Sequence, residues 1–318
     1  MLAILAVTFP IYLVILLGYV AVRTGYSPAD TINALSQFTV RICLPALIFS
    51  ALTTSGTGEA LNWGIIIGYL VASLLALFFG YIIMRRVFQE KSPAAWIHSL
   101  AIANSNSGFI GFAIASMVFP DIALPVLAWI MIVENAVIIP LALVSADVAS
   151  EHRTTLSTSA KRALQSFVRN PLVLAIFAAL IVRGIGLPLP KPMVSTIQML
   201  ASVAPVIALF VVGGIVARFS LGLHWRRTTA ISFGKLIVHP TLVYALLSLW
   251  PGLGQEFVMT AVLFAAVPML SIYPMLGAKY GSEQVCATAF IVTVILSFFT
   301  ISALIWWMGN VGIASISG

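Results

Sequence analysis

Long apolar segments alternate with short polar ones along almost the whole chain. Ten of the apolar segments have about 18 residues or more, the length at which an apolar helix becomes a candidate to cross a bilayer. They lie at residues 2–22, 31–53, 62–84, 94–118, 122–146, 170–187, 193–217, 229–250, 257–278 and 285–308. The pattern predicts an all-α polytopic membrane protein with ten transmembrane helices and little structure outside the bilayer.

The fourth segment is interrupted near its middle by a polar stretch that also contains two glycines. A buried polar or backbone group without a hydrogen-bond partner is costly within a bilayer, so such a stretch must face protein or a watery cavity. We predict that it forms the centre of a substrate site, with contacts from Asn104, Ser105, Asn106 and Gly108. The alternative is close helix packing through small and amide residues.

The ten segments divide into two halves of five. Residues of the first and second segments recur 160 positions later in the sixth and seventh: Arg23, Pro28 and Pro45 correspond to Arg183, Pro188 and Pro205. An odd number of helices per half turns the second half upside down relative to the first, which is the plan of many secondary transporters. We therefore predict two inverted five-helix repeats, at residues 1–147 and 170–318, joined by a cytoplasmic connector at 148–169.

The ninth segment occupies the same place in its half as the fourth and should be broken as well. We expect Pro268 and Pro274 to interrupt it, as Gly108 and Gly111 interrupt the fourth, because proline removes a backbone donor and clashes with the preceding turn. Ser271 lies between the two prolines and is a further candidate substrate contact. Helix N-termini at two such breaks would favour an anion.

Composition agrees with a membrane protein, since 61% of residues are hydrophobic and 8% are charged, against about 25% charged in soluble domains. Twelve basic residues fall in loops on one side and two on the other. The positive-inside rule then places both chain ends outside the cytoplasm, and it explains the net charge of +7 without a nucleic-acid partner. Cys43 and Cys286 lie in apolar segments, so we expect core residues and no metal or cofactor.

Ionisable residues inside the segments are candidate functional groups, because a charge costs about 2.5–3.5 kcal/mol at the bilayer centre. We predict Glu134 as the group that binds a coupling proton, with Asn135 and His239 as further coupling candidates. Arg41 and Lys235 are candidate partners of the anion. Each has an alternative. Glu134 could instead form a structural ion pair with Arg41 or Lys235, and His239 could be a packing residue. The side chains of Arg41 and Lys235 could extend to the membrane surface. Lys235 is expected to be the shallower of the two.

Short motifs in a specific order lead to a family resemblance. They comprise Pro10, Gly18-Tyr19, Arg23-Thr24-Gly25, Leu44-Pro45-Ala46, Asn106-Ser107-Gly108-Phe109-Ile110-Gly111, Pro205, Gly213-Gly214, Pro268, Lys279-Tyr280-Gly281, Thr293, Ser297 and Thr300. With these motifs the chain resembles the auxin efflux carrier family, whose bacterial members include proteins named for malonate and other small organic acids.

The resemblance implies ten helices in inverted repeats, with the broken fourth and ninth helices crossing at the substrate site. It also implies a homodimer in which helices 1, 2, 6 and 7 form a scaffold and helices 3–5 and 8–10 form a moving transport domain. The crossover asparagine of the family corresponds to Asn106 and the crossover proline to Pro268. Two other prolines that are frequent in the family are replaced here by Ser105 and Ala113.

We expect a secondary transporter of small organic anions, carboxylates such as malonate, in the bacterial cytoplasmic membrane. Elevator-type alternating access is the expected mechanism, with proton coupling through Glu134 as one option. Sodium coupling, as in the similar bile-acid symporters, is a second option, and a ligand sensor with a carrier-like fold is a third. We do not expect an enzyme, since the sequence contains no His-Glu-x-x-His motif, no Asp-rich diphosphate motif and no nucleophile elbow.

Overall fold

The computed structural model describes residues 2–54, 61–150, 156–222 and 224–310, and all regular secondary structure in these ranges is helical. The α-helices are α1 (Leu2–Arg23), α2 (Ala29–Phe38), α3 (Leu44–Thr54), α4 (Trp63–Arg86), α5 (Ser92–Ala103), α6 (Phe112–Val118), α7 (Ala123–Val133), α8 (Ile139–Val148), α9 (Leu156–Val168), α10 (Pro171–Gly184), α11 (Lys191–Ala217), α12 (Trp225–Phe233), α13 (His239–Ser248), α14 (Gln255–Ala266), α15 (Tyr273–Lys279) and α16 (Glu283–Asn310). Residues 151–155 of the predicted connector lie outside the described residues.

Within the described residues, eight helical stretches are long and apolar enough to cross a membrane. The predicted class, an all-α polytopic membrane protein, is thereby confirmed. The sixth and ninth predicted segments are represented by shorter apolar helices, since α10 has 14 residues and α14 has 12. The arrangement as ten spans in two inverted repeats stays a prediction.

Four of the spans contain one π-helical turn, which lies within a continuous helix in three of them and follows the break in the fourth segment. These turns are Thr39–Cys43, Ser107–Gly111, Glu134–Ile138 and Gly234–Val238. Three of the four end two residues before a proline, namely before Pro45, Pro140 and Pro240. Since proline cannot donate a backbone hydrogen bond and crowds the turn before it, the wider turn relieves the crowding. Single π turns of this kind are frequent at functional sites.

One group of helices is built on the long helix α11, which packs along α1, α2 and α3, while α3 also packs against α10. The backbones of α1 and α11 touch at two glycines. A Cβ atom on Gly213 would overlap the carbonyl oxygen of Ile15, and one on Gly18 would overlap that of Phe210. Small residues permit this close approach, as they do in other membrane helix pairs.

The other helices form a second packed group. Within this group, α4 contacts α5 and α13, and α13 contacts α14. Helices α12 and α15 both contact α16. The polar break of the fourth segment belongs to this group and lies against the first, since the turn Ser107–Gly111 also packs on α11, and every residue from Asn104 to Gly111 is buried. A site at the break is therefore enclosed by protein, as its polar groups require in a membrane.

Candidate functional site

The fourth and ninth segments are both broken, and their breaks are in direct contact. Helix α5 ends at Ala103 and the chain becomes helical again at Ser107, while α14 ends at Ala266 and α15 begins at Tyr273. The backbone N–H of Asn106 donates to the carbonyl oxygen of Pro268 at 2.8 Å. The Asn106 side-chain Nδ2 donates to Ser271 Oγ at 2.7 Å. The two residues expected at a crossing therefore do meet.

Two details of the predicted breaks are wrong. Gly108 and Gly111 do not interrupt the fourth segment, because both lie inside the π turn that follows the break. Gly111 instead permits close packing, since a Cβ atom there would lie 2.7 Å from Phe264 Cδ1. Pro274 lies in the first turn of α15, where the missing donor costs nothing and the fixed backbone angle suits a helix start.

Glu134 is the first residue of the π turn Glu134–Ile138, and its side chain extends to the break. Its carboxyl oxygen Oε1 accepts hydrogen bonds from Ser107 Oγ at 2.9 Å, from the Ser105 backbone N–H at 3.1 Å and from the Tyr69 hydroxyl at 3.1 Å. The residue is almost fully buried. Three donors on one oxygen are the arrangement that a buried carboxylate requires, because a buried charge without partners is very costly.

Lys235 lies at the same break and is completely buried. Its Nζ donates to Ser105 Oγ at 2.5 Å and to the Ala265 carbonyl oxygen at 3.0 Å, and it lies 3.1 Å from His239 Nδ1. An ammonium group has three donors, and these three acceptors match them. The expectation that the Lys235 side chain extends to the membrane surface is therefore wrong.

His239 continues the network away from the break. If its Nδ1 accepts from the Lys235 ammonium, its Nε2 carries the hydrogen and donates to Ser73 Oγ, at 3.1 Å. His239 thus has a polar partner on each ring nitrogen.

Ser105 connects the two charged side chains, because its backbone N–H binds Glu134 and its hydroxyl accepts from Lys235. Glu134 and Lys235 consequently belong to one buried cluster, which we call the charge cluster and define as Tyr69, Ser105, Ser107, Glu134, Lys235 and His239. Of the two basic partners weighed for Glu134, Lys235 is the one in this cluster, where it is linked to the carboxylate through Ser105 rather than by a direct ion pair.

Three further predicted residues have different positions. Asn104 is buried at the break, and its Nδ2 has no hydrogen-bond partner among the described residues. Asn135 lies outside the charge cluster, since its Nδ2 donates to the Met131 carbonyl oxygen and its Oδ1 accepts from Asn170 at 3.3 Å. Arg41 is exposed on the first group of helices and does not reach the site.

The structure also brings in residues that the sequence did not single out. Tyr69 and Ser73, both on α4, bond to Glu134 and His239 respectively, and the carbonyl oxygen of Ala265 binds Lys235. A tyrosine and a serine within an apolar 24-residue helix were a usable signal, because hydroxyls in a span usually bond to neighbouring helices. The role of a backbone carbonyl has no signal in a sequence.

A second buried polar cluster lies on the other side of the ninth segment's break. His98 Nδ1 lies 2.8 Å from the Tyr273 hydroxyl and 3.7 Å from Cys286 Sγ. On the outer side of His98, the Glu90 carboxylate pairs with Arg227 at 2.8 Å. Cys43 and Cys286 are both buried, as expected of core residues, and neither forms a disulfide; Cys286 has a polar neighbour in His98.

Comparison with known proteins agrees with this architecture. A model of the family described as "Membrane transport protein" matches residues 3–306. The chain belongs to this family. The resemblance to auxin efflux carriers is thereby confirmed, and the protein is a membrane transporter.

Two relatives illustrate how much of the transporter is shared. The chain is 28% identical over 303 residues to the "Putative malonate transporter" of Rhizobium meliloti (strain 1021), with 93% of each chain covered. It is 25% identical over 306 residues to the "Uncharacterized transporter YfdV" of Escherichia coli (strain K12), covering 93% of this chain and 94% of the other. Both matches extend over nearly the whole transporter, so the broken helices and the charge cluster lie within the shared region.

Proposed function

We propose that the protein is a secondary transporter of small organic anions, carboxylates such as malonate, and that the anion binds where the two broken helices meet. The observation that carries the proposal is the contact of Asn106 with Pro268 and Ser271. Crossed broken helices near the bilayer midplane are the binding sites of many secondary transporters, because unwound backbone can be exposed only to protein or to a water-filled cavity. The name of the Rhizobium relative supports malonate as the first substrate to test.

Donors at the break favour a carboxylate over a cation as substrate. The Asn104 amide donor is buried without a partner in the described part of the chain, and a bound carboxylate would supply one. The helix that begins at Ser107 contributes free backbone N–H groups and the positive end of its dipole. Asn106, in turn, can exchange its bond to Ser271 for one to the ligand.

The charge cluster suggests how a proton would be coupled to the anion. While Glu134 is ionised, its charge balances that of Lys235, and Ser105 holds both side chains. When Glu134 takes up a proton, the cluster carries the positive charge of Lys235 alone and attracts an anion to Asn104 and Asn106. Proton and anion would thus cross together.

The two packed groups of helices suit elevator-type movement. The group around α11 contains the helices proposed as scaffold, while the group around α4, α5, α13 and α14 carries both breaks and the complete charge cluster. A rigid movement of the second group would carry the site across the membrane without dismantling its hydrogen bonds.

We also propose a homodimer in the bacterial cytoplasmic membrane, with both chain ends on the outer side. Arg41 supports a dimer formed through the scaffold, since it is exposed near the middle of a helix that is long enough to span the membrane. A charge in contact with lipid there is costly, and a partner subunit would cover it. Native mass spectrometry of the purified protein should give twice the chain mass.

Uptake of labelled malonate into liposomes that contain the purified protein tests the proposal. We expect uptake to be driven by an imposed pH gradient and to be unaffected by a sodium gradient. Asn106→Ala should raise the malonate concentration for half-maximal uptake by about tenfold, which corresponds to about 1.4 kcal/mol. Asn135→Ala is the matched control, because its amide is bound outside the charge cluster, and it should leave that concentration unchanged.

Each result has a distinct meaning for the proposal. Unchanged affinity in Asn106→Ala would remove the substrate from the crossing of the helices. Uptake driven by sodium rather than by the pH gradient would favour sodium coupling at the carbonyl groups of the Val267–Ile272 break. Glu134→Gln should abolish the response to the pH gradient, and an intact response would mean that Glu134 only stabilises the fold.

A further inference from the structure

A groove of about 540 Å³ lies between α1, α11 and α16, away from the crossing of the broken helices. Its walls are mainly aliphatic and aromatic, with Ile15 of α1, Val216 of α11 and Val294 of α16 on its three sides. Binding sites for organic molecules are commonly clefts of about 300–1,000 Å³ with apolar walls. The groove is therefore large enough for an apolar chain.

The groove has the length of one leaflet of a bilayer. It extends along α1 from Tyr12, in the middle of the helix, to Arg23 at its last residue. At about 1.5 Å per residue this is roughly 16 Å, and half of the hydrocarbon core of a bilayer is about 15 Å. An acyl chain that enters at the end of α1 would therefore reach the membrane midplane at Tyr12.

The charge at the mouth of the groove identifies the headgroup. Arg23 is the charged residue among those that line it, and Ser220 adds a hydroxyl to the lining. The Arg23 guanidinium carbon lies 5.6 Å from the centre of the Tyr19 ring, an arrangement that holds the cation in place. Basic pockets between transmembrane helices on the cytoplasmic side bind anionic lipid headgroups, and the predicted orientation places Arg23 on that side.

We propose that this groove binds one phospholipid with an anionic headgroup, whose phosphate contacts Arg23 and whose acyl chain fills the groove as far as Tyr12. The three walls come from both packed groups of helices, because α1 and α11 belong to the first and α16 to the second. At the deep end the Tyr12 hydroxyl lies 2.7 Å from Ser297 Oγ, which joins α1 to α16. The lipid thus lies between two parts of the transporter that move relative to each other if the proposed elevator mechanism holds.

Native mass spectrometry of the full-length protein in detergent tests the site without any need for transport. With phosphatidylglycerol and phosphatidylcholine of the same acyl chains added at equal concentration, the wild type should retain about fivefold more phosphatidylglycerol. Arg23→Gln should remove this preference, because the headgroup loses its cation, while one lipid of either kind still binds. Arg86→Gln is the matched control, since Arg86 is exposed at the end of α4 and does not line the groove, and it should keep the preference.

A second variant tests the acyl chain. Ile295 lines the groove and is exposed, so Ile295→Trp should fold normally, fill the groove and reduce retention of both lipids. Equal retention of the two lipids by the wild type, or a preference that survives Arg23→Gln, would overturn the proposal. The proposal would also be overturned if Ile295→Trp were found by native mass spectrometry as a monomer that still retains its lipid. In that case the groove would be covered by a second copy of the chain. Inorganic phosphate that displaces phosphatidylglycerol at equal concentration would mean that the site binds free anions.

Discussion

Glu134 and Lys235 should depend strongly on each other for the stability of the fold. Lys235→Met leaves Ser105 Oγ, the Ala265 carbonyl oxygen and His239 Nδ1 without their donor, and it leaves the Glu134 charge buried without its cation. Glu134 and Lys235 are linked through Ser105 rather than in direct contact. Leaving either charge buried without its counter-charge should still cost up to about 3–5 kcal/mol, the range for a broken buried ion pair. Glu134→Gln should cost a similar amount, because it leaves the Lys235 charge uncompensated.

The double variant Lys235→Met with Glu134→Gln should lose less stability than the sum of the two single losses, since both charges are then absent. We expect an interaction energy of about 1–3 kcal/mol, the upper part of the range found for residues in one hydrogen-bonded network. Reversible unfolding in mixed detergent and dodecyl sulfate micelles, followed by circular dichroism, would give the four free energies of unfolding.

Lys279 and Asp147 provide a matched control. They form a direct lysine–carboxylate pair, with Nζ and Oδ1 2.8 Å apart, whereas Glu134 and Lys235 are bridged by Ser105; Lys279 is also largely exposed. Exposed pairs contribute about 0.2–1 kcal/mol, so the cycle of Lys279→Met and Asp147→Asn should give a small interaction energy that decreases with salt. Additive losses at Glu134 and Lys235, within about 0.5 kcal/mol, would refute the charge cluster as a single unit.

Two further predictions concern packing and hydrogen bonding. Gly213→Ala should severely destabilise the fold, because the added Cβ would overlap the Ile15 carbonyl oxygen. Gly184→Ala is its control, since Gly184 has open space around it and the change should be neutral or slightly stabilising. Thermal unfolding in detergent compares the two variants, and equal melting temperatures would contradict the close contact of α1 and α11. Tyr69→Phe removes one of the three donors to Glu134 and should cost about 1.5–3 kcal/mol, as hydrogen bonds to charged groups do. Tyr26→Phe is its control, since Tyr26 is exposed, and an equal effect of the two changes would mean that the Tyr69 hydroxyl does not support Glu134.

Features that depend on local sequence were predictable. The membrane class follows from the length of the apolar segments, because backbone groups in lipid must be satisfied within the helix. The break around Asn104 and Asn106 was predictable for the same reason, since a polar stretch in an apolar segment requires partners. Its position was less accurate, because Gly108 and Gly111 proved to serve packing inside the following helix.

Arg41 and Lys235 show what only the tertiary structure decided. Each is a basic residue within a long apolar segment, and each lies in a π turn shortly before a proline. Their sequence contexts are therefore nearly the same, yet Arg41 is exposed and Lys235 is fully buried among three acceptors. The difference depends on which way each helix is rotated and on which neighbours pack against it. One of the three acceptors of Lys235 comes from a distant part of the chain, since Ser105 lies 130 residues away. Local sequence therefore determines the helices, while packing determines which charges meet.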